Sequence, residues 1–225
     1  MKPIFKHLFP GIIQHISYFG SKNNPFIWVD ISENSVKRWF VVHLKTKHCS
    51  EIANPFESSL IYSWIDAAEH YGFFSIIEQG KNPISQGVLK IDLKTGTVFE
   101  KMDIFSNKLY TNQLASQIFT INTPSHYSSL EVYFKDFKEF FDKKFNQQID
   151  KAIDYLEADN KLIFSYYLYE NTWVNKLKVC NLSFHTLFED QIESNELMGH
   201  HTFQVFENLI IYTKNKNELI ILDNE

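Results

Sequence analysis

Seven consecutive residues, Trp64-Ile65-Asp66-Ala67-Ala68-Glu69-His70, gather an aromatic ring, two carboxylates and an imidazole. In a cleft, such a set would supply a general acid and a general base. Asp66, Glu69 and His70 are therefore candidate catalytic groups, and Trp64 is a candidate binding platform. The competing reading is a solvated helix face above an apolar stripe, which does no chemistry. His200 and His201, preceded by Met198-Gly199, form a second candidate, because one imidazole facing a cavity could join Glu69 or Asp154 around a metal ion. Adjacent strand residues point to opposite faces, so the two imidazoles cannot easily share one ion. We expect binding roles for His200 and His201, and neither a resident metal nor a cofactor.

Asp150, Asp154, Glu157 and Asp159 form an acidic run without the Asp-x-Asp-x-Asp-Gly spacing of a helix-loop-helix calcium site. A solvated face is the expectation. Asp154 stays a candidate because paired carboxylates that hydrolyse glycosidic bonds meet from distant strands and leave no local motif. Trp28, Trp39, Trp64 and Trp173, with Tyr166, Tyr167 and Tyr169, offer flat faces suited to sugars or protein partners, or equally to a core. No phosphate-binding glycine loop, dinucleotide fingerprint, zinc-protease helix, Cys-x-x-Cys or serine-elbow motif occurs.

The elements that must position these residues read as mostly β. Aromatic residues make up 16% of the chain, with 21 Phe and 11 Tyr, and they favour half-buried pleated surfaces. Only 7 Gly are present, so turns must draw on Asn, Asp, Ser and Lys. A net charge of −5 with signs mixed along the chain gives no basic stripe for phosphates, which argues against nucleic-acid binding. No window approaches ~20 apolar residues, and the first residues do not read as a secretory leader. Cys49 and Cys180 are far apart and suit a reducing compartment, so a cytoplasmic protein, monomeric or weakly oligomeric, is expected.

Alternating apolar runs ending in short turns recur at Arg38 to Leu44, Gly87 to Leu93, Leu130 to Phe137, Lys176 to Leu182 and Glu218 to Leu222. Aligning Val42, Ile91, Phe134, Cys180 and Ile221 gives a period of roughly 40–50 residues. Each run follows another apolar run, at Phe26 to Ile31, Phe73 to Ile77, Ile118 to Ile121, Leu162 to Tyr169 and Leu209 to Tyr212. The fifth unit lacks an outer strand, which Pro3 to Phe9 can supply from the N-terminus. Two stretches fit a ring of strands poorly. Ser58 to His70 places Leu60, Ile61, Trp64, Ile65 and Ala68 at helical spacing, and Asp136 to Glu157 does so with Phe137, Phe141, Phe145, Ile149, Ile153 and Leu156.

The strand pairs and the turn Asp92-Leu93-Lys94-Thr95-Gly96, matched in part by His43-Leu44-Lys45-Thr46, resemble β-propeller repeat proteins. The whole chain is similar to small bacterial propeller-like families without an assigned function. That resemblance implies an all-β fold, a five-bladed propeller-like ring closed by N- and C-terminal strands, as a single domain over 1–225. The alternative is α+β with an antiparallel sheet and one or two helices. Five-bladed propellers include glycoside hydrolases, lectins and calcium-dependent nucleotidases, so the resemblance places no catalytic residue here. The expectation is a binding or scaffolding protein that recognises a protein or small-molecule partner on one end of the ring. The alternative is a carboxylate-dependent hydrolase in its channel. A lectin would repeat one aromatic position in each unit, and the sequence does not clearly do so.

Overall fold

Asn34 and Ser35 both take positive φ, 49° and 67°, as do Asp159 and Asn160, 50° and 59°. Two successive residues of this kind make the tight turn whose twist matches a β-hairpin. Asn and Asp tolerate that conformation better than other non-glycine residues, which explains how a glycine-poor chain folds back on itself repeatedly. The computed structural model describes residues 1–21, 24–52, 60–68, 70–78, 85–95, 97–102, 121–194 and 202–223, and of 60–68 it describes the backbone alone.

In chain order the first strands are β1 (Pro3–Leu8), β2 (Ile12–Ser21), β3 (Asn24–Glu33), β4 (Val36–His43), β5 (His48–Ile52), β6 (Leu60–Ala68), β7 (Tyr71–Glu78), β8 (Ser85–Asp92) and β9 (Val98–Met102). Then come β10 (Ile121–Asn122), β11 (Ser125–Ser128), helix α1 (Val132–Phe145), β12 (Asp150–Ala158), β13 (Lys161–Tyr169), β14 (Trp173–Asn181) and β15 (Thr186–Ser194). The chain continues through β16 (Phe203–Phe206), β17 (Leu209–Lys214) and β18 (Glu218–Asp223). All pairings are antiparallel, in four sheets ordered β2-β3-β4-β5, β6-β7-β8-β9, β11-β12-β13-β14-β15 and β1-β18-β17-β16-β10.

A closed five-bladed ring is therefore not what forms. Among the described residues there are four separate sheets, none closed on itself, and one helix, and the α+β alternative describes this β-rich chain better. The third of the five expected units is the one that fails. Leu130 to Phe137 enters α1 instead of making a strand, and of the run Ile118 to Ile121 only Ile121 lies within the described residues, on the two-residue β10 that pairs with β16. The other four units hold, since Val42, Ile91, Cys180 and Ile221 all lie on or next to the strand that follows a hairpin within its sheet. The two chain ends do pair, with Pro3 opposite Leu222 and Leu8 opposite Glu218, but this completes one sheet and closes no ring.

The chain clusters into two compact units, residues 11–119 and residues 1–10 with 120–225. In the first, Phe19, Trp28 and Trp39 from one sheet share a core with Phe74, Leu89 and Ile91 from the other. The Trp28 and Trp39 rings stack 6.0 Å apart. In the second, Ile163, Leu177 and Val179 of the β11–β15 sheet pack with Phe203, Ile210 and Leu222 of the sheet containing β16–β18. The opposite face of the β11–β15 sheet, through Ile153, Phe164 and Tyr166, packs on Phe134 and Phe141 of α1.

The Asp92-Leu93-Lys94-Thr95 turn has a physical basis: Asp92 Oδ1 accepts from the Lys94 N–H (2.8 Å) while Leu93 is fully buried. At the corresponding place His43 Nδ1 accepts from the Thr46 N–H (3.3 Å). Gly11, at the turn between β1 and β2, is a fixed point of the first unit. A Cβ there would lie 2.4 Å from the Ser32 carbonyl oxygen, a backbone atom that cannot swing aside. We expect Gly11→Ala to cost about 1–3 kcal/mol through overpacking, read as a lower urea midpoint; a midpoint equal to the parent's would show that the entry to β2 shifts freely.

Candidate functional site

Helix α1 is set by its two ends. At the start, the Ser128 N–H and hydroxyl both donate to Glu131 Oε1 at 3.1 Å, and the Glu131 N–H donates to the Ser128 carbonyl at 2.9 Å. These bonds close a tight turn that delivers the chain to Glu131, the residue from which the helix starts and which no side chain caps. The two bonds from Ser128 hold the Glu131 carboxyl below its ordinary range. At the end, Asn146 sits in the left-handed region, its N–H donating to the Asp142 carbonyl and that of Gln147 to the Phe141 carbonyl. Lys143 and Lys144 stand at the negative end of the helix.

Between those ends α1 carries two stripes. Phe134 and Phe141 are buried in the core, whereas Tyr133, Asp136, Phe137 and Phe140 follow one another at helical neighbour spacing along its flank. That flank forms one wall of an open groove of about 360 Å³. Tyr127 of β11, Tyr155 of β12, and Leu162 and Phe164 of β13 form the other wall, and Phe184 lies at one end. Rings meet at 5.2 Å for Tyr127 with Phe137, 5.4 Å for Phe137 with Tyr155, and 5.2 Å for Tyr155 with Phe164. Burial, then the neighbouring Glu157 carboxylate, pushes the Tyr155 phenol up, so it remains a protonated hydroxyl at neutral pH. Asp136 is the single acidic or basic side chain among the lining residues. Leu130, Val132 and Tyr133, at 95%, 84% and 65% exposure, leave an apolar rim at the start of α1.

The register puts a polar row on the face of the β11–β15 sheet away from this groove: His126 is opposite Asp154, and Asp154 opposite Ser165. Asp154, 2% exposed, accepts from His126 Nδ1 (2.6 Å) at one oxygen, and from the Thr202 N–H and hydroxyl (both 2.8 Å) at the other. The Ser165 hydroxyl donates to Asn175 Oδ1 (2.8 Å), and the buried Asn175 Nδ2 has no hydrogen-bond partner. The order across the sheet is imidazole, carboxylate, hydroxyl. A nucleophilic triad needs the imidazole in the middle, so this row is not one.

The residues singled out in the sequence fare unevenly. Ser58 to His70 contains no described helix: Trp64 and Asp66 lie on β6 opposite Phe74 and Phe73, with a bulge between them. His70 is in the turn after β6, its ring 4.0 Å from that of Tyr71. Glu69, His200 and His201 lie outside the described residues. Thr202, the neighbour of His201, binds Asp154 directly. Asp66 belongs to the first unit and Asp154 to the second. Trp28, Trp39, Tyr166 and Tyr167 are core, while Tyr169 is exposed and meets Trp173 edge-on at 5.2 Å. Asp150, Asp154 and Glu157 lie on β12, and no group of three described His, Cys, Asp or Glu is arranged to hold a metal ion. No described helix is long and apolar enough to cross a membrane. Both cysteines are free thiols, and burial pushes Cys49 up to about 11 and raises Cys180 as well, so neither is a thiolate nucleophile at neutral pH.

Sequence reading missed the groove because its walls come from α1 and three strands that no local motif connects. The signal was present in Tyr133, Asp136, Phe137 and Phe140, once a helix rather than a strand is placed there. It also missed Asp30 on β3. Burial raises that carboxyl against the opposing pull of Lys37, His15 and the Trp39 indole, and its Oδ1 is buried without a hydrogen-bond partner.

If Asp154 anchors its surroundings, Asp154→Ala strands the Thr202 donors and His126, with an expected loss of about 3 kcal/mol or more. Asp154→Asn, which keeps one acceptor for Thr202, should lose less. Urea denaturation of both variants checks the order, and a loss under about 1 kcal/mol for the alanine variant would remove Asp154 from the framework.

No protein-family model matches this chain, and no curated protein matches it in sequence.

Proposed function

We propose that the protein is a binding module that takes a small organic ligand in the aromatic groove between α1 and the β11–β13 strands. The observation that carries this reading is a cavity of about 360 Å³ walled by aromatic rings from four elements, with a single carboxylate at its edge. Ligand sites are typically concave, apolar and ~300–1,000 Å³, with a few polar groups that orient the ligand. Rings locked against one another at 5.2–5.4 Å are already in place before a ligand arrives. Little ordering cost then remains to oppose binding.

Ligand-observed NMR with a panel of small aromatic and aliphatic compounds tests this, comparing the parent with Tyr133→Ala. Tyr133 is 65% exposed, so its truncation should change stability by no more than about 0.5 kcal/mol. It should nevertheless weaken ligands by about 0.5–1.5 kcal/mol, or several-fold, through the lost ring. Ligands indifferent to both Tyr133→Ala and Phe137→Ala bind elsewhere, and the reading fails.

A second reading, carboxylate-dependent hydrolysis, is favoured by one observation: Asp154 is a buried acid paired with an imidazole and a hydroxyl. A glycosidase needs a second carboxyl at roughly 5–10 Å. The check is hydrolysis of nitrophenyl glycosides by the parent chain. Turnover that vanishes in Asp154→Asn under conditions where that variant is folded would establish the reading, and no turnover across the panel would end it.

A further inference from the structure

The groove has a charge preference as well as a shape. Tyr127, Tyr133, Phe137 and Tyr155 cluster at its end nearest the start of α1, with Tyr127 and Tyr133 nearly perpendicular, at 72° and 6.1 Å between centroids. Rings set at steep angles present several π faces to one point, and those faces are negative. Asp136, on the same flank of α1, adds a full negative charge there. Glu131, its carboxylate fixed by Ser128 at the start of the helix, offsets the positive end that would otherwise repel a cation.

The other end differs. Lys144 Nζ sits 5.3 Å from the centre of the Phe184 ring, so a cation of the chain itself occupies that aromatic face. The same pairing recurs at Lys151 over Trp173 (4.2 Å), Lys178 over Phe145 (4.8 Å) and Lys90 over Tyr71 (4.0 Å). Among the described residues no lysine or arginine lies over the ring of Tyr127, Tyr133, Phe137 or Tyr155. The end with the carboxylate is the end whose rings carry no described lysine.

We infer that the ligand of this groove is a small organic ammonium ion, its alkylated nitrogen held among Tyr127, Tyr133, Phe137 and Tyr155 beside Asp136. Its apolar remainder lies along Phe140 and Phe164. Alkyl groups on the nitrogen spread the charge and lower the cost of leaving water, and aromatic cages recognise quaternary ammonium groups for that reason. A sugar would instead need several hydrogen-bonding groups around each ring, and the lining offers one carboxylate and the tyrosine hydroxyls. This inference rests on the groove being a ligand site.

The test titrates the full chain by NMR with choline, with the uncharged alcohol in which carbon replaces the nitrogen, and with the anionic acid of the same shape. Choline should bind about ten-fold tighter than the uncharged alcohol, and the acid should not bind. The N-methyl resonances should move upfield, as protons over aromatic faces do, and Asp136→Asn, on an exposed helix position, should weaken choline several-fold while leaving the alcohol unchanged. Equal binding of choline and the alcohol, with both weakened by Tyr133→Ala, overturns the charge preference and leaves the groove a ligand site. Failure of choline while other compounds bind the groove overturns the ammonium inference alone. Failure of every compound removes the groove reading together with it.

Discussion

The second unit depends on one constraint: β13 is buried on both faces. Its residues from Leu162 to Leu168 are all buried, so the β11–β15 sheet cannot stand with either face in water. Ile163 is covered by the sheet that carries β16–β18, while Leu162, Phe164, Tyr166 and Leu168 need a second cover. Helix α1 provides it with Phe134 and Phe141, and the Tyr166 hydroxyl, sealed under the helix, donates to Gln147 Oε1 at 3.0 Å just beyond the helix end. Burial pushes that phenol far above its ordinary range, so it stays a donor. A strand buried on both faces thus dictates a three-layer unit, and the helix is where it is because the sheet would otherwise be half bare.

That same constraint explains what could be read from the sequence. Apolar runs in pairs marked β3 with β4, β7 with β8, β13 with β14 and β17 with β18, because hairpins joined by Asn-rich turns leave local traces. The third run misled through Leu130 and Val132, which alternate with polar residues but are among the most exposed apolar side chains of the described residues. The segment is entered through the Ser128–Glu131 turn and stopped by Asn146 in the left-handed region, a helix end signal. Around Trp64 the error ran the other way. A bulge between Trp64 and Asp66 breaks the two-residue period of β6, and the broken period imitates helical spacing. In each case local periodicity was ambiguous, and the partner available in space settled it.

The candidate site was less legible than the fold, for a different reason. Tyr127, Tyr133, Tyr155 and Phe184 come from a strand, a helix, another strand and a turn, and nothing in their spacing marks them as neighbours. Asp154 was visible as a carboxylate, but its role depends on His126 across a strand pair and on Thr202, 48 residues away. The acidic cluster and paired histidines attracted attention because they were adjacent in the chain, which is a weak guide to adjacency in space.

The two faces of β12 divide the labour between holding and binding. On one, Asp154 satisfies three donors at two oxygens, and a carboxylate so engaged fixes where β11 and the start of β16 lie. On the other, Tyr155 stacks on Phe164 and meets Phe137, and these rings line the open groove. Here Phe137 of one wall meets Tyr127 and Tyr155 of the other, and Phe141 packs behind them on Phe164 at 5.2 Å and on Tyr166 at 4.6 Å, so the rings brace one another around the groove. The packing that covers β13 is therefore also the packing that shapes the groove.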